Sequence, residues 1–327
     1  MCCTVNNMSN IVVTGAAGFL GSHLMLKHIE LGDNVLGLDN YSTSSPKSEH
    51  SYVLGDLVKY CDITQAELIH EFTEQFTEQY GKIDLIYNFA CPASPPKYQQ
   101  LAVETMQCCS IGVKNMLDLA KEHNAVFVQA STSEVYGDPN CNPQNEKYWG
   151  NVNSYGQRSM YDEGKRYAEA LCWVYKNQPI GVDARIVRIF NTYGPHMDPD
   201  DGRVITNFVK QALRGEPITI YGDGKQTRSF CYVDDLIDAI TIMGSLKHNP
   251  GVPINIGNDR EFTMIELANR VLKLTDSKST LLFKQLPADD PTQRRPDLNN
   301  ARKLLNWWPI EDLDEGLKKM IAYMRTV

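Results

Sequence analysis

Two groups of residues in this sequence have the types and spacing to do chemistry together. In "YDEGKRYAEAL", Tyr161 and Lys165 stand four residues apart and so share one face of a helix. A free tyrosine titrates near pH ~10 and is a poor base at neutrality. A neighbouring ammonium favours the phenolate and is expected to lower that value. The second group is "STSEVYGDP", which follows the apolar run "AVFVQA". Glycine and proline end the run, so Ser131, Thr132, Ser133 and Glu134 are expected at the carboxyl end of a buried strand. An open α/β sheet binds its ligand at such an end. Thr132 is then placed to position an alcohol while Tyr161 takes its proton. Taken alone, the Tyr–Lys spacing is common on helix surfaces, and a Ser/Thr/Glu run is ordinary turn chemistry.

Their weight comes from what lies upstream. "IVVTGAAGFLGSHL" carries Gly15, Gly18 and Gly21 between a strand and a helix, around Phe19 and Leu20. The first glycine permits the tight turn, the second lets backbone amides approach a pyrophosphate, and the third lets helix and strand pack closely. Asp39 ends the next strand, "NVLGLD", at the distance expected of a ribose-binding acid. Asn40, Ser42 and Thr43 follow in "NYSTSS", with no arginine to receive a 2′-phosphate, so NAD is expected and not NADP. Asp56 and Leu57, read as following a further short strand, are expected beside the adenine.

The elements that must position these groups alternate between strand-like and helical runs. "NIVVTG", "NVLGLDN", "IDLIYNFA" and "AVFVQAST" are separated by amphipathic stretches such as "VKNMLDLAKEH". This predicts an α/β fold, a doubly wound parallel Rossmann sheet with a smaller α/β C-terminal substrate domain. The expected division is an NAD-binding domain over residues 1–190, rejoined by strands around 229–257, and a substrate-binding domain over 191–327.

The 327 residues, 42% hydrophobic, are enough for a large core. The net charge of −8 argues against a general nucleic-acid binder, which needs clustered Lys and Arg. No apolar run reaches the roughly 18 residues that span a bilayer, and "MCCTVNNMSN" has neither a basic segment nor an apolar signal core. A cytoplasmic protein with no membrane partner is expected. The nine cysteines are scattered, Cys2–Cys3 and Cys108–Cys109 are poor disulfide partners, and the seven histidines lie apart along the chain. No metal site is expected.

Together, the glycine spacing, the Tyr–Lys pair and the chain length resemble the extended short-chain dehydrogenase/reductases that act on nucleotide sugars. More closely, "CPASPPKY", "STSEVYGDP", "YDEGKR", "RIFNTYGP", "DGRVITNF", "YGDGKQTRSF" and "DDPTQRRPD" resemble the UDP-glucuronate decarboxylase branch of that family, nearly end to end. The resemblance implies UDP-glucuronate as substrate and a redox-neutral cycle. Tyr161 deprotonates the 4-hydroxyl, a 4-ketone forms, carbon dioxide is lost, and the ketone is reduced again. It also implies cofactor contacts from Ala90, Thr192 and Arg203. Substrate contacts are implied from Pro92, Tyr98, Glu134, Asn191, Arg203, Tyr221, Arg228 and Arg294. A homodimer is implied, joined through helices around residues 114–121 and 161–176.

Related 4,6-dehydratases carry adjacent Asp and Glu at the strand end where this chain has Ser133 and Glu134, and epimerases of the fold generally lack the glutamate. Glu134 is therefore expected to act in the decarboxylation half, its charge mildly repelling the substrate carboxylate or ordering a proton-donating water. The chain departs from the resembled pattern at Gln107, Cys108 and Cys109, where Lys, Thr and Asn are expected. It departs again at His196, and at Asp118 and Glu122 near the expected nucleotide pocket. A 4,6-dehydratase or 4-epimerase is the competing enzyme reading. An NAD-binding sensor would keep the glycine loop without needing the Tyr–Lys pair.

Overall fold

The computed structural model describes residues 8–45, 48–177, 179, 181–285 and 293–327. The Cys2–Cys3 pair and the "DDPT" part of the last motif lie outside these residues.

The chain builds one seven-stranded sheet from β1 (Asn10–Thr14), β2 (Asn34–Asp39), β3 (Val58–Tyr60), β4 (Leu85–Asn88), β5 (Val126–Thr132), β6 (Asp183–Ile189) and a last strand at Ile254–Ile256. Their spatial order is β3-β2-β1-β4-β5-β6 followed by Ile254–Ile256, and every pairing is parallel. The order reverses between β1 and β4, which opens a crevice at the carboxyl ends of these strands. Side chains alternate across the sheet. Ile11 and Val13 of β1 join one buried cluster, whereas Val12 joins a second with Leu36, Leu38, Ile86 and Phe127. Both faces are thus covered, which is why the strands read as continuous apolar runs.

The first cluster continues without a break into the C-terminal region. It takes in Phe208 and Val209 of helix Val204–Arg214, Leu267 and Val271 of Met264–Thr275, and Leu317 and Met320 of Leu313–Met324. Among the described residues three small sheets complete that region: Leu281–Lys284 beside Ile218–Tyr221; Glu261–Thr263, Thr227–Ser229 and Gln293–Arg294 side by side; and Cys231–Tyr232 beside Thr192–Tyr193. The second of these sheets carries Arg228 and Arg294 to the crevice.

Candidate active site

A cleft of about 1140 Å³ runs along the carboxyl ends of the strands. That is large enough for a dinucleotide and a second nucleotide together.

At one end, the β1 turn leads into helix α1 (Phe19–Glu30). Gly15 has φ +68°, a conformation that side-chain-bearing residues rarely adopt. A Cβ on Gly21 would lie 2.0 Å from the Gly15 carbonyl oxygen, so the helix can only sit this close to the strand with glycine there. No side chain among the described residues caps α1 at Gly18, which leaves first-turn amides to meet an anion. Asp39 closes the turn from β2. Its carboxylate accepts from the Ala17 amide at 2.9 Å, the Tyr41 amide at 2.7 Å and the Ser44 hydroxyl at 2.9 Å. Gly15, Gly18, Phe19, Leu20, Gly21, Asp39, Asn40, Ser42, Thr43 and Ala90 all line this end of the cleft, which fits the diphosphate and ribose of a dinucleotide.

Asp56 and Leu57 do not line it. The segment read as a strand before them is the helix Glu49–Leu54, and they lie in a 3-10 turn, Gly55–Leu57, ahead of β3. The residues at the end of β3 are Cys61, Asp62 and Ile63, which do line the cleft, and Asn40 donates to Asp62 at 3.0 Å. A three-residue strand has too little alternation to be located from sequence. Asp118 and Glu122 are also absent from the cleft. They sit on the exposed face of helix Val113–His123, where Asp118 accepts from Lys114 and from the Tyr175 hydroxyl, both at 2.7 Å.

At the other end, helix Ser159–Lys176 buries Tyr161, Lys165, Ala168 and Cys172 along one stripe. This three-to-four-residue spacing turns both polar groups inward with the apolar ones. The Lys165 ammonium donates to the Ala130 carbonyl of β5 at 2.9 Å and lies 5.7 Å from the Tyr161 ring centre. Tyr98 stacks on Tyr161 with ring centres 4.8 Å apart, its hydroxyl buried and without a partner among the described residues. Tyr98 belongs to a short helix, Pro95–Gln100, which the two prolines start where a loop was expected.

Burial pushes the Tyr161 phenol up to about 12, although Lys165 and a hydrogen bond with Thr132 both pull it down. The expected net lowering is thus corrected: stacking under Tyr98 removes water that would solvate the phenolate, and one ammonium does not offset that loss.

The strand end shows how the hydroxyls divide. Ser131 donates to Glu169 at 2.5 Å, and Glu169 in turn pairs with Arg188 at 2.7 Å, so Ser131 is held in a structural network. Thr132 accepts from the Glu134 amide at 3.2 Å and starts the turn Ser133–Tyr136. The Ser133 carbonyl accepts from Arg294 at 2.8 Å.

Glu134 itself lies 2.6 Å from Arg158 and 3.1 Å from Arg294. Burial raises its carboxyl, but Arg294 and Arg158 outweigh that and hold it below its ordinary value. The expected repulsion of a substrate carboxylate is corrected by this arrangement. Two guanidiniums around one carboxylate leave a cluster with net positive charge, suited to an anionic ligand.

Arg158 was not legible as a site residue, because its partner is 24 positions away and only the fold joins them. Asp162, beside Tyr161, was missed as well. Burial, with the Glu134 charge adding, lifts its carboxyl to about 7, and one of its oxygens has no partner among the described residues. An acid with a raised folded-state pKa contributes stability at low pH and loses it as pH rises through the folded value. The Asp162 penalty should therefore build between about pH 4 and about pH 7. Asp162→Asn should be more stable than wild type by on the order of 2 kcal/mol in urea unfolding above pH ~7.5, and no more stable near pH ~4. An unchanged difference across that range would contradict this reading.

The remaining expected ligand residues Pro92, Asn191, Thr192, Arg203, Tyr221 and Arg228 line the cleft as well. Arg203 reaches the Ala93 carbonyl at 3.2 Å and joins the 201–203 turn to the 91–93 loop. Three histidines scattered in sequence meet beside the cleft, where His50 and His196 line the wall. His50 and His196 stack 3.6 Å apart, His23 lies 4.8 Å from His50, and Ser22 hydrogen-bonds the His50 ring at 2.8 Å. Burial, together with the other two rings, lowers His50 to about 3, so the group is uncharged at neutral pH.

Residues 11–257 match the NAD dependent epimerase/dehydratase family. The chain is 49% identical over 317 residues to UDP-glucuronic acid decarboxylase 1 of Arabidopsis thaliana, covering 96% of this chain and 69% of that protein. It is 44% identical to UDP-glucuronic acid decarboxylase 1 of Danio rerio, covering 96% of this chain and 72% of that one. Among solved structures, UDP-glucuronic acid 4-epimerase from Bacillus cereus, in complex with UDP-glucuronic acid and NAD, superposes with a TM-score of 0.83 at 27% identity. It covers 97% of this chain and 99% of the epimerase.

Proposed function

The chain belongs to the NAD dependent epimerase/dehydratase family, and from that premise we propose that it is an NAD-dependent carboxy-lyase converting UDP-glucuronate to UDP-xylose and carbon dioxide. The observation that carries the reading is the pairing of decarboxylase relatives along 96% of the chain with the Thr132–Ser133–Glu134 strand end. A serine at 133 deprives the site of the acid that a 4,6-dehydratase uses to expel a 6-hydroxyl.

Bound NAD supplies a hydride acceptor that is restored within the cycle, and in its oxidised form a positive charge favouring the Tyr161 phenolate. Gly15, Gly18, Gly21 and Asp39 would hold its diphosphate and ribose, with Lys165 beside its nicotinamide end. Tyr161 takes the proton of the 4-hydroxyl, with Thr132 hydrogen-bonded to it and Lys165 compensating the phenolate charge. Oxidation at carbon 4 places a ketone β to the carboxylate, so breaking the bond to the carboxyl carbon leaves its electron pair in an enolate. Protonation at carbon 5 and reduction at carbon 4 follow, and Tyr161 returns its proton to oxygen 4. Arg158, Arg228 and Arg294 provide cationic partners for the carboxylate and diphosphate in a protein whose overall charge is −8. The partnerless Tyr98 hydroxyl is a ready contact for the sugar.

In this reading residues 1–190, with the strand Ile254–Ile256, hold the cofactor, and most of residues 191–327 hold the sugar nucleotide. Val103, Met106, Tyr167 and Trp173 expose apolar surface on the helices around residues 102–123 and 159–176, which supports a homodimer through that face. The cysteines among the described residues are all free thiols, which suits a cytoplasmic setting.

Purified protein incubated with UDP-glucuronate and substoichiometric NAD should give UDP-xylose by mass spectrometry, with one carbon dioxide per product. A product of unchanged mass would identify a 4-epimerase instead, and a product lighter by one water a dehydratase.

A further inference from the structure

Three thiols meet beside the catalytic lysine, and the proposed reaction uses none of them. Cys91 opens the loop after β4, and its Sγ lies 3.5 Å from the Sγ of Cys109. The adjacent Cys108 thiol donates to the Ala90 carbonyl at 2.9 Å. Cys108 and Cys109 begin a π-helical turn, Cys108–Gly112, a widened turn that directs two consecutive side chains toward the Cys91 loop. The bare Cα of Gly164 packs behind Cys109, where a Cβ would approach its Sγ to 3.3 Å, so the Ser159–Lys176 helix holds that sulfur in place. Cys91 and Cys108 line the cleft, which gives small oxidants a path to them.

We propose that Cys91 and Cys109 form a reversible disulfide on exposure to a hydroperoxide, and that this crosslink switches the catalytic site off. The two sulfurs, already in contact at 3.5 Å, would close to about 2.05 Å in the bond. Electrostatics favours Cys91 as the attacking sulfur. The neighbouring Cys108 and Cys109 thiols, with the Lys165 ammonium adding, draw the Cys91 thiol down, whereas the hydrogen-bonding contact with Cys91, then burial and the Cys91 charge, keep Cys109 up.

In the first step the Cys91 thiolate attacks the peroxide oxygen, forming an S–O bond as the O–O bond breaks and water or an alcohol leaves. The Cys109 thiol then attacks the sulfenic sulfur, forming the S–S bond and releasing water. The two thiols together lose two electrons, which the hydroperoxide accepts. A dithiol reductant reverses the change by exchange. Closure draws the 90–92 loop toward Cys109 and so away from the cofactor wall that it lines.

The inhibitory half of this inference rests on the proposed decarboxylation, but the crosslink does not, so the test reads both. The full-length protein with NAD is treated with hydrogen peroxide, alkylated with N-ethylmaleimide and mapped without reduction. The expected result is a peptide pair joined through Cys91 and Cys109, with an intact mass lower by about 2 Da. Turnover of UDP-glucuronate should fall on the order of a hundredfold, because displacing a positioning loop by about 1 Å is enough. NAD binding by calorimetry should weaken in parallel, and dithiothreitol should restore all three readouts. Cys109→Ala, and independently Cys109→Ser, should keep the reduced rate and lose the reversible inactivation.

Quantitative alkylation of both cysteines after peroxide would overturn the inference. So would a crosslinked protein with undiminished turnover and NAD affinity, or reversible inactivation of both Cys109 variants. If the reduced protein fails to decarboxylate UDP-glucuronate, the functional reading falls, while the peptide map and NAD affinity still decide on the crosslink.

Discussion

Tyr161→Phe should lower turnover of UDP-glucuronate by about 10³-fold, within the range that loss of a general acid–base costs. The reason is local. Burial keeps the phenol up at about 12, and Lys165, Thr132 and Arg203 pull it down. Phenylalanine keeps the ring against Tyr98 at the 4.8 Å stacking distance and removes only the oxygen. Stability should change by no more than about 1 kcal/mol, since one hydrogen-bonded hydroxyl is lost. NAD affinity should stay near wild type. The check is a single-turnover rate alongside NAD titration. Full xylose-nucleotide output from the variant would remove Tyr161 from the chemistry.

Glu134→Gln should have the second largest effect, on turnover and on stability. The substitution takes away the carboxylate that Arg158 and Arg294 share, and Arg294 is only 2% exposed. Leaving buried cations without their counter-charge costs about 3 kcal/mol. Because the folded-state pKa of Glu134 is depressed, its contribution is present above the ordinary glutamate range and fades as pH falls through the lowered value. The stability gap between wild type and variant should therefore be widest above pH ~5 and shrink in acid, as urea unfolding can measure. Turnover should fall by about 10²-fold or more with NAD binding intact, if Glu134 orders the groups that serve the decarboxylation half. Unchanged turnover would refute that role, and lost NAD binding would show that the variant had damaged the cofactor end instead.

What could be foreseen from sequence was local or covalently spaced. The β1 turn needs glycine at Gly15 and Gly21 for reasons of backbone angle and close approach, so the cofactor end is written in these two residues. Tyr161 and Lys165 are tied by one helical turn, and Thr132 by the end of a long apolar strand. Strand β3 escaped because three residues do not establish a period, so the expected adenine contact was set on Asp56–Leu57, whereas Asp62 and Ile63 are the residues that line the cleft. The Arg158–Glu134–Arg294 cluster, the three stacked histidines and the Cys91–Cys109 contact join residues that are neighbours only after folding. The upward direction of the Tyr161 shift was hidden for the same reason, since it follows from burial under Tyr98 and not from the visible lysine.

The central claim is that one phenol and one recycled cofactor carry an oxidation and a reduction at the same carbon, with decarboxylation between them. The most direct measurement is the fate of deuterium placed at carbon 4 of UDP-glucuronate, with NAD substoichiometric to substrate. Deuterium should be retained at carbon 4 of UDP-xylose, with one solvent-derived hydrogen at carbon 5 and no net NADH. Loss of the deuterium from carbon 4, or NADH accumulating in step with carbon dioxide, would contradict the account.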